Sequence, residues 1–398
     1  MSKHVAFFNI PAIGHVYPTL ALVAELVRRG HRVTYATIAR RAPLLEAVGA
    51  QVVPYRSLRP EDTDPGMRAP RRAEYISQSL LSFLEEAEAT LPQLEPYYAG
   101  DQPDLVVHDR MSFAGRVYAA KHDLPTIQLW PMLVSNENWS MSQAPGGFDP
   151  THPSFVAYLT KLTAFLGRHG LPLSPEEFLT PSPARHIAFF PRAFQYRGEL
   201  FDDRYRFVGP CIRTRPGTPG WRPPTPGQPV LYVSLGTVYN RLPAFYRKCL
   251  RAFAGSPWRV VIAIGERMDP RALGPVPDNA EVHQVVPQLD VLAHATVFLS
   301  HAGMGGVMEA LSAGVPQVTL PQTLEQETNA ERLAQLGLGV RLPATRLTAA
   351  ALRRTVERVA ADGEIAWRLR AMRAELLAAG GTPRAADAIE DCLTPSLT

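Results

Sequence analysis

The segment VFLSHAGMGGVMEALSAGVPQVTLPQTLEQ, Val297 to Gln326, switches between strand-like and helix-like patterning. Val297–Leu299 is a short apolar run that reads as a buried strand. Ser300, His301, Ala302 and Gly303 turn the chain. Val307–Leu311 continues with helical spacing, and Gly314 followed by Pro316 ends that helix. Val318–Leu320 is the next buried strand. Strand, tight turn, helix and strand in that order build a parallel sheet.

The turn carries chemistry as well as shape. Gly303, Gly305 and Gly306 let backbone N–H groups approach a ligand closely. These groups sit at a helix N-terminus, whose partial positive charge favours an anion. His301 adds a side-chain donor. The arrangement suits a diphosphate, although it has neither the GxGxxG spacing nor a Walker lysine. Glu309 on the helix, and Glu325 and Gln326 after the next strand, reach the same edge. Two sugars can be read there, a nucleotide ribose and a transferred hexose. The plainer alternative is a glycine run that only packs a helix tightly on a sheet. His301, Glu309, Glu325 and Gln326 at these offsets favour the ligand seat.

HAGMGGVMEAL and LPQTLEQETNAERL resemble the donor-binding signature of glycosyltransferase family 1, in particular its macrolide branch with the oleandomycin glycosyltransferases. The resemblance implies an α/β fold of the GT-B kind, two facing Rossmann-like domains with a cleft between them. It spans nearly the whole chain. It is strong in the C-terminal half, specific around His15, and weak between Ser57 and Phe207.

The bulk properties fit such an enzyme. At 398 residues two domains are expected. The chain is 46% hydrophobic and 20% charged, as in soluble globular proteins. Net charge is +4 with no dense Lys/Arg run, which argues against nucleic acid as a partner. Cys211, Cys249 and Cys392 are scattered and odd in number, without metal-ligand spacing, which points to a reducing cytoplasm. The opening HVAFFNI is broken by Asn9 and Pro11 and lacks a cleavage site, so it reads as a strand and not a signal peptide. No run approaches the roughly 18 apolar residues of a membrane span.

In the N-terminal half, Val5–Ile10 reads as strand one, Pro11–Val16 as a loop, and Leu22–Val27 as part of a helix with Pro18 in its first turn. Val33–Thr37 and Gln51–Val53 are further strands, with a short helix at Ala42–Val48 between them. This begins a doubly wound parallel sheet. His15 follows the first strand, and Asp109 follows the strand at Leu105–Val107. Ligands bind at the carboxyl ends of such strands. A histidine with a carboxylate partner is the usual general base, the carboxylate fixing its tautomer. Alone, His15 would read as a packing histidine and Asp109 as a turn residue; together they read as a dyad. GHVYPTLALVAELVRRGHRVTYAT and DLVVHDRMSFAGRVYA resemble the family's base loop and its aspartate segment. On that resemblance His15 deprotonates the acceptor, Asp109 orients it, and Gly14 joins the donor contacts.

Ser57–Arg72 reads as a loop. Its Asp62-Thr63-Asp64 imitates a metal-binding motif, but the family resemblance implies that no metal is required. Tyr75–Leu94 and Phe155–Phe165 read as helices. The uncapped aromatic stretch Trp130–Gly147 corresponds to the family's acceptor-pocket region, which makes Trp130, Asn136 and Trp139 the expected acceptor contacts. Loop packing and core are the alternatives there.

Residues 213–229, RTRPGTPGWRPPTPGQP, hold six prolines and three glycines and read as a linker. The expected organisation is an acceptor domain at 1–212, this linker, a nucleotide-sugar domain at 230–378, and a final helix at 379–398 that crosses back to the first domain. Val230–Val233, Arg259–Ile264 and Glu281–Val286 read as strands of the second sheet. Ser234-Leu235-Gly236-Thr237 resembles the family's SLG[ST] turn, which implies diphosphate contacts from Ser234, Gly236 and Thr237. Val285-Val286-Pro287-Gln288 departs from the Trp-Val-Pro-Gln of many members. Backbone contacts from Val286 to the base, and a contact from Gln288, are retained in this reading; aromatic stacking at Val285 is lost.

The expected function is inverting transfer of a hexose, foremost glucose, from a UDP-sugar to a hydroxyl of a macrolide or other lipophilic natural product. The role is biosynthesis or antibiotic resistance, and the assembly to test is a homodimer. Alternatives are a dTDP-sugar donor, a nucleotide-sugar epimerase, and a non-catalytic nucleotide-sugar-binding protein.

Overall fold

The central strands are buried on both faces, so they are written as nearly continuous apolar runs and not as alternating ones. HVAFF, LVVHD and VLYVS are buried at every position. In the computed structural model, residues 2–59, 72–143, 148–180, 185–213, 220–343 and 347–394 are described. They form two compact units.

The first unit alternates β1 (His4–Phe8), α1 (Ile13–Arg28), β2 (Arg32–Thr37), α2 (Ala42–Glu46), β3 (Gln51–Pro54), α3 (Arg72–Tyr98), β4 (Leu105–Asp109), α4 (Phe113–Lys121) and β5 (Thr126–Trp130). α5 (Pro153–Arg168), α6 (Pro175–Leu179), β6 (Arg185–Ala188) and β7 (Tyr205–Phe207) complete it. Its seven strands are parallel, in the order β3-β2-β1-β4-β5-β6-β7. The order reverses between β1 and β4, the kind of switch point where doubly wound sheets bind ligands. In register, Phe8 stands beside His108, which places the ends of β1 and β4 side by side.

The second unit runs β8 (Val230–Ser234), α7 (Pro243–Phe253), β9 (Arg259–Ala263), β10 (Ala280–His283), α8 (Gln288–His294), β11 (Val297–Ser300), α9 (Met304–Ala313), β12 (Gln317–Thr319), α10 (Leu324–Gln335), β13 (Gly339–Arg341), α11 (Ala349–Ala360) and α12 (Gly363–Ala378). Its six strands are also parallel, in the order β10-β9-β8-β11-β12-β13. Its switch point lies between β8 and β11.

A last helix, α13 (Gly381–Leu393), belongs to the first unit. Its buried Ala385, Ala386, Ala388 and Ile389 join a core with Val16, Leu20 and Val23 of α1. Arg29, just past α1, fastens the outer edge by pairing with Asp387 and Glu390 at 2.6 and 2.5 Å.

Three local expectations are corrected. The loop expected at Pro11–Val16 is helical from Ile13, so His15 lies in the first turn of α1. Pro18 consequently lies inside the helix, and Gly14 loses its i+4 donor there. The strand expected to reach Val286 stops at His283. α10 begins at Leu324, so Glu325 and Gln326 lie in its first turn. The Thr323 hydroxyl caps this helix start, accepting from the Gln326 N–H at 3.4 Å. The Asp62-Thr63-Asp64 motif lies outside the described residues.

Candidate active site

At the β1/β4 switch point, His15 Nδ1 donates to Asp109 Oδ2 at 2.7 Å. The His15 side chain is 17% exposed and that of Asp109 is 1% exposed. Asp109 is itself fixed, because its Oδ1 accepts the Met111 N–H at 2.7 Å. One carboxylate oxygen therefore serves the backbone and the other the imidazole. With Nδ1–H given to Asp109, the basic lone pair of the ring is on Nε2.

A buried polar chain supports the His15 turn from below. Asn9 Nδ2 donates to the His15 carbonyl at 2.9 Å and to the Tyr35 hydroxyl at 2.8 Å. Tyr35 meets Thr19 at 2.9 Å, and Thr19 donates to the Val16 carbonyl at 2.7 Å. These bonds reinforce a helix start that Pro18 weakens. His108, the neighbour of Asp109, is buried and its pKa falls to about 4 because burial disfavours the cation. It stays neutral near pH 7 and adds no charge beside the dyad.

Around β8 and β11 the construction differs. His301 is half-buried, held in a slot between two glycines. A Cβ on Gly236 would fall 2.5 Å from His301 Cε1, and one on Gly303 would fall 2.5 Å from His301 Nε2. Both positions must be glycine for the ring to fit. Gly305 is different: a Cβ there would meet nothing within 4 Å. Packing does not demand that glycine, and open space lies beside the first turn of α9. A Cβ on Gly306 would meet the Phe298 ring at ordinary contact distance, 3.6 Å. Gly14, in the other unit, also faces open space.

Burial lowers the His301 pKa to about 4, against a weaker opposing pull from the Ser234 backbone. The ring is neutral at pH 7 and offers a hydrogen bond without a charge. Ser234 Oγ accepts the Gly236 N–H at 3.4 Å, and Thr237 is exposed on the same turn. Between His301 and Gly303, Ala302 adopts φ +63°. A left-handed alanine costs roughly 1–2 kcal/mol, so the surroundings must hold it.

Gln288 and Glu309 meet directly, the Gln288 amide donating to Glu309 Oε2. The Tyr232 hydroxyl donates to Gln288 Oε1 at 2.8 Å. Tyr232 stacks flat on Phe298, with ring centroids 4.8 Å apart and an interplanar angle of 9°. The sequence reading named Gln288 and Glu309 but missed Tyr232, a core aromatic by its pattern. Val286 is buried and Val285 is 48% exposed. Gln326 Oε1 accepts the Gln322 N–H at 2.9 Å, closing its own turn beside Glu325.

The three expected acceptor contacts fall in different surroundings. Trp130 ends β5, is 1% exposed, and donates its ring N–H to His186 Nδ1 at 3.2 Å. It is a core side chain, which corrects the expectation. Asn136 is also buried; its Oδ1 accepts the N–H groups of Asn138 and Trp139 at 2.9 and 3.0 Å. It staples the loop. Trp139 is partly exposed and stacks on Tyr196 with centroids 5.1 Å apart.

Residues 249–393 match the family model described as "Erythromycin biosynthesis protein CIII-like, C-terminal domain". The chain is 40% identical to the oleandomycin glycosyltransferase of Streptomyces antibioticus over 396 residues, covering 97% of this chain and 90% of that one. The chain belongs to the macrolide branch of glycosyltransferase family 1. This glycosyltransferase is also 39% identical to the NDP-glycosyltransferase YjiC of Bacillus subtilis (strain 168), over 97% of its own length and 96% of that relative's. The solved structure of CalG4, the calicheamicin glycosyltransferase, superposes with a TM-score of 0.88 at 40% identity, covering both chains completely. The fold is therefore GT-B, two Rossmann-like units, and the protein is an enzyme that takes its sugar from a nucleotide-sugar donor. Among the described residues no helix is long and apolar enough to cross a membrane.

Proposed function

We propose that this glycosyltransferase moves a hexose, glucose first, from a UDP-sugar to a hydroxyl of a macrolide or other lipophilic natural product, with inversion. The His15–Asp109 hydrogen bond at 2.7 Å is the observation that carries the reading. Nε2 of His15 takes the acceptor proton, and Asp109 stabilises the imidazolium that forms. The acceptor oxygen attacks the anomeric carbon opposite the leaving diphosphate. Neutral His301, Ser234, Gly236, Thr237 and the Gly303–Gly306 helix start stabilise that leaving group. Glu309, braced by Gln288, binds the ribose, and Glu325 and Gln326 bind the hexose. Val286 meets the base through its backbone.

The names of the relatives support the acceptor class: one acts on oleandomycin and another is a calicheamicin glycosyltransferase. A dTDP-sugar is the second donor reading. Val285, 48% exposed where many members carry an aromatic, places no stacking ring on the base. No metal is needed on this reading, because helix dipole and His301 suffice for the diphosphate.

The test combines the protein with UDP-glucose or dTDP-glucose and a panel of hydroxylated lipophilic aglycones, read by mass. An acceptor-dependent hexosyl product with inverted anomeric configuration is expected, at an unchanged rate in excess EDTA. Donor epimerisation without any acceptor product overturns the reading. So does binding without turnover.

A further inference from the structure

Two buried asparagines outside the expected site act on the backbone on either side of His301. Asn240, 3% exposed, donates its side-chain N–H to the Gly236 carbonyl at 2.6 Å. Asn329, fully buried on α10, donates to the Ala302 carbonyl at 3.0 Å. The two residues they hold both have positive φ, +78° at Gly236 and +63° at Ala302. Gly236 forms one wall of the His301 slot, and Ala302 joins His301 to Gly303, the other wall.

The surroundings are shaped to keep these amides in place. A Cβ on Gly265, after β9, would fall 2.1 Å from Asn240 Nδ2, so a glycine there makes room for the amide. Asn329 Oδ1 has no hydrogen-bond partner among the described residues. A buried, half-satisfied amide is costly, and the bond it donates to the Ala302 carbonyl is what fixes it in that position. An alanine left to itself abandons the left-handed region, and releasing it would rotate the peptide between His301 and the start of α9.

We propose that Asn240 and Asn329 are positioning residues that hold the two left-handed turns flanking His301 and thereby preorganise the diphosphate seat. The proposal rests on the donor reading above. A preorganised seat needs no rearrangement when the anion arrives, and a small misplacement of its donors is expensive.

The test measures, by calorimetry, how much more tightly UDP binds than uridine, with dTDP and thymidine as a second pair. Asn240→Ala and Asn329→Ala should each shrink that ratio on the order of tenfold, while nucleoside affinity stays unchanged. A merely structural role would move both ligands together. Gly265→Ala should reproduce the Asn240 effect with the asparagine still present. Ala302→Gly, which accepts positive φ freely, should restore part of the ratio in the Asn329→Ala background. Unchanged ratios in the alanine variants overturn the proposal, as does equal loss for nucleoside and diphosphate. If the alanine variants fail to fold, Gly265→Ala decides: an unchanged ratio there overturns it. Wild-type protein that binds neither diphosphate more tightly than its nucleoside overturns the donor reading itself.

Discussion

In the first unit the negative charge is the protein's own. Asp109 is almost fully buried, has each oxygen assigned to a donor, and spends one of them on His15. In the second unit, on the proposed reading, the negative charge comes with the ligand. The seat there is made of backbone N–H groups, glycine-lined space and a histidine kept neutral by burial. A general base needs a fixed partner for the cation it becomes. An anion seat needs many weak donors pointing one way. The two histidines therefore differ in what surrounds them more than in what they are.

The comparison breaks most visibly at the dyad. His15→Ala should reduce turnover on an alcohol acceptor by about 10²- to 10⁴-fold, while calorimetry finds UDP affinity unchanged. A phenol or thiol of lower pKa needs less deprotonation and should lose less. Equal loss on both acceptor types removes His15 from the role of base. Asp109→Asn sharpens the point. Met111 N–H holds the Oδ1 position, so the new amide would present N–H to His15 Nδ1. That forces the proton onto Nε2, the wrong tautomer for a base. Steady-state turnover should fall nearly as far as in His15→Ala, and further than in Asp109→Ala.

A smaller effect is expected at the seat. His301→Ala removes one hydrogen bond to a charged group, worth about 1.5–3 kcal/mol, so UDP binds roughly ten- to hundredfold more weakly by calorimetry. Because the ring's pKa is about 4, the affinity of wild-type protein should not change between pH 6 and pH 8 through His301. A step in that range that disappears in His301→Ala would show a charged ring.

The smallest expected effect is on stability. His108 and His301 both have folded pKa values of about 4 against an ordinary 6.5. Between those values the unfolded chain binds more protons, so stability is complete above about pH 6.5 and falls as pH drops towards 4. For the buried His108 the loss at pH 5 is ~2 kcal/mol. Urea midpoints at pH 7 and pH 5 measure it, and His108→Gln should flatten the difference.

How far the sequence carried each half follows from where its information lies. His15 and Asp109 were legible because each follows an apolar run closely, and parallel strands deliver their ends to one edge. His301 and its glycines were legible as a local turn before a helix. Asn240, Asn329 and Tyr232 were not, since their meaning depends on positive φ values and on contacts between segments far apart in sequence. Trp130 was misread for a related reason. Thr126 and Gln128 interrupt the apolar run of β5, so the strand hid its own end.

The return of α13 to the first unit has a consequence for biosynthesis. As the chain leaves the ribosome, α1 is made early, yet its partners Ala385, Ala386 and Ile389 emerge only after the whole second unit. Domains usually complete in the order of translation. Here the earlier one must wait with an apolar flank of α1 uncovered, while the later one can already close its own sheet.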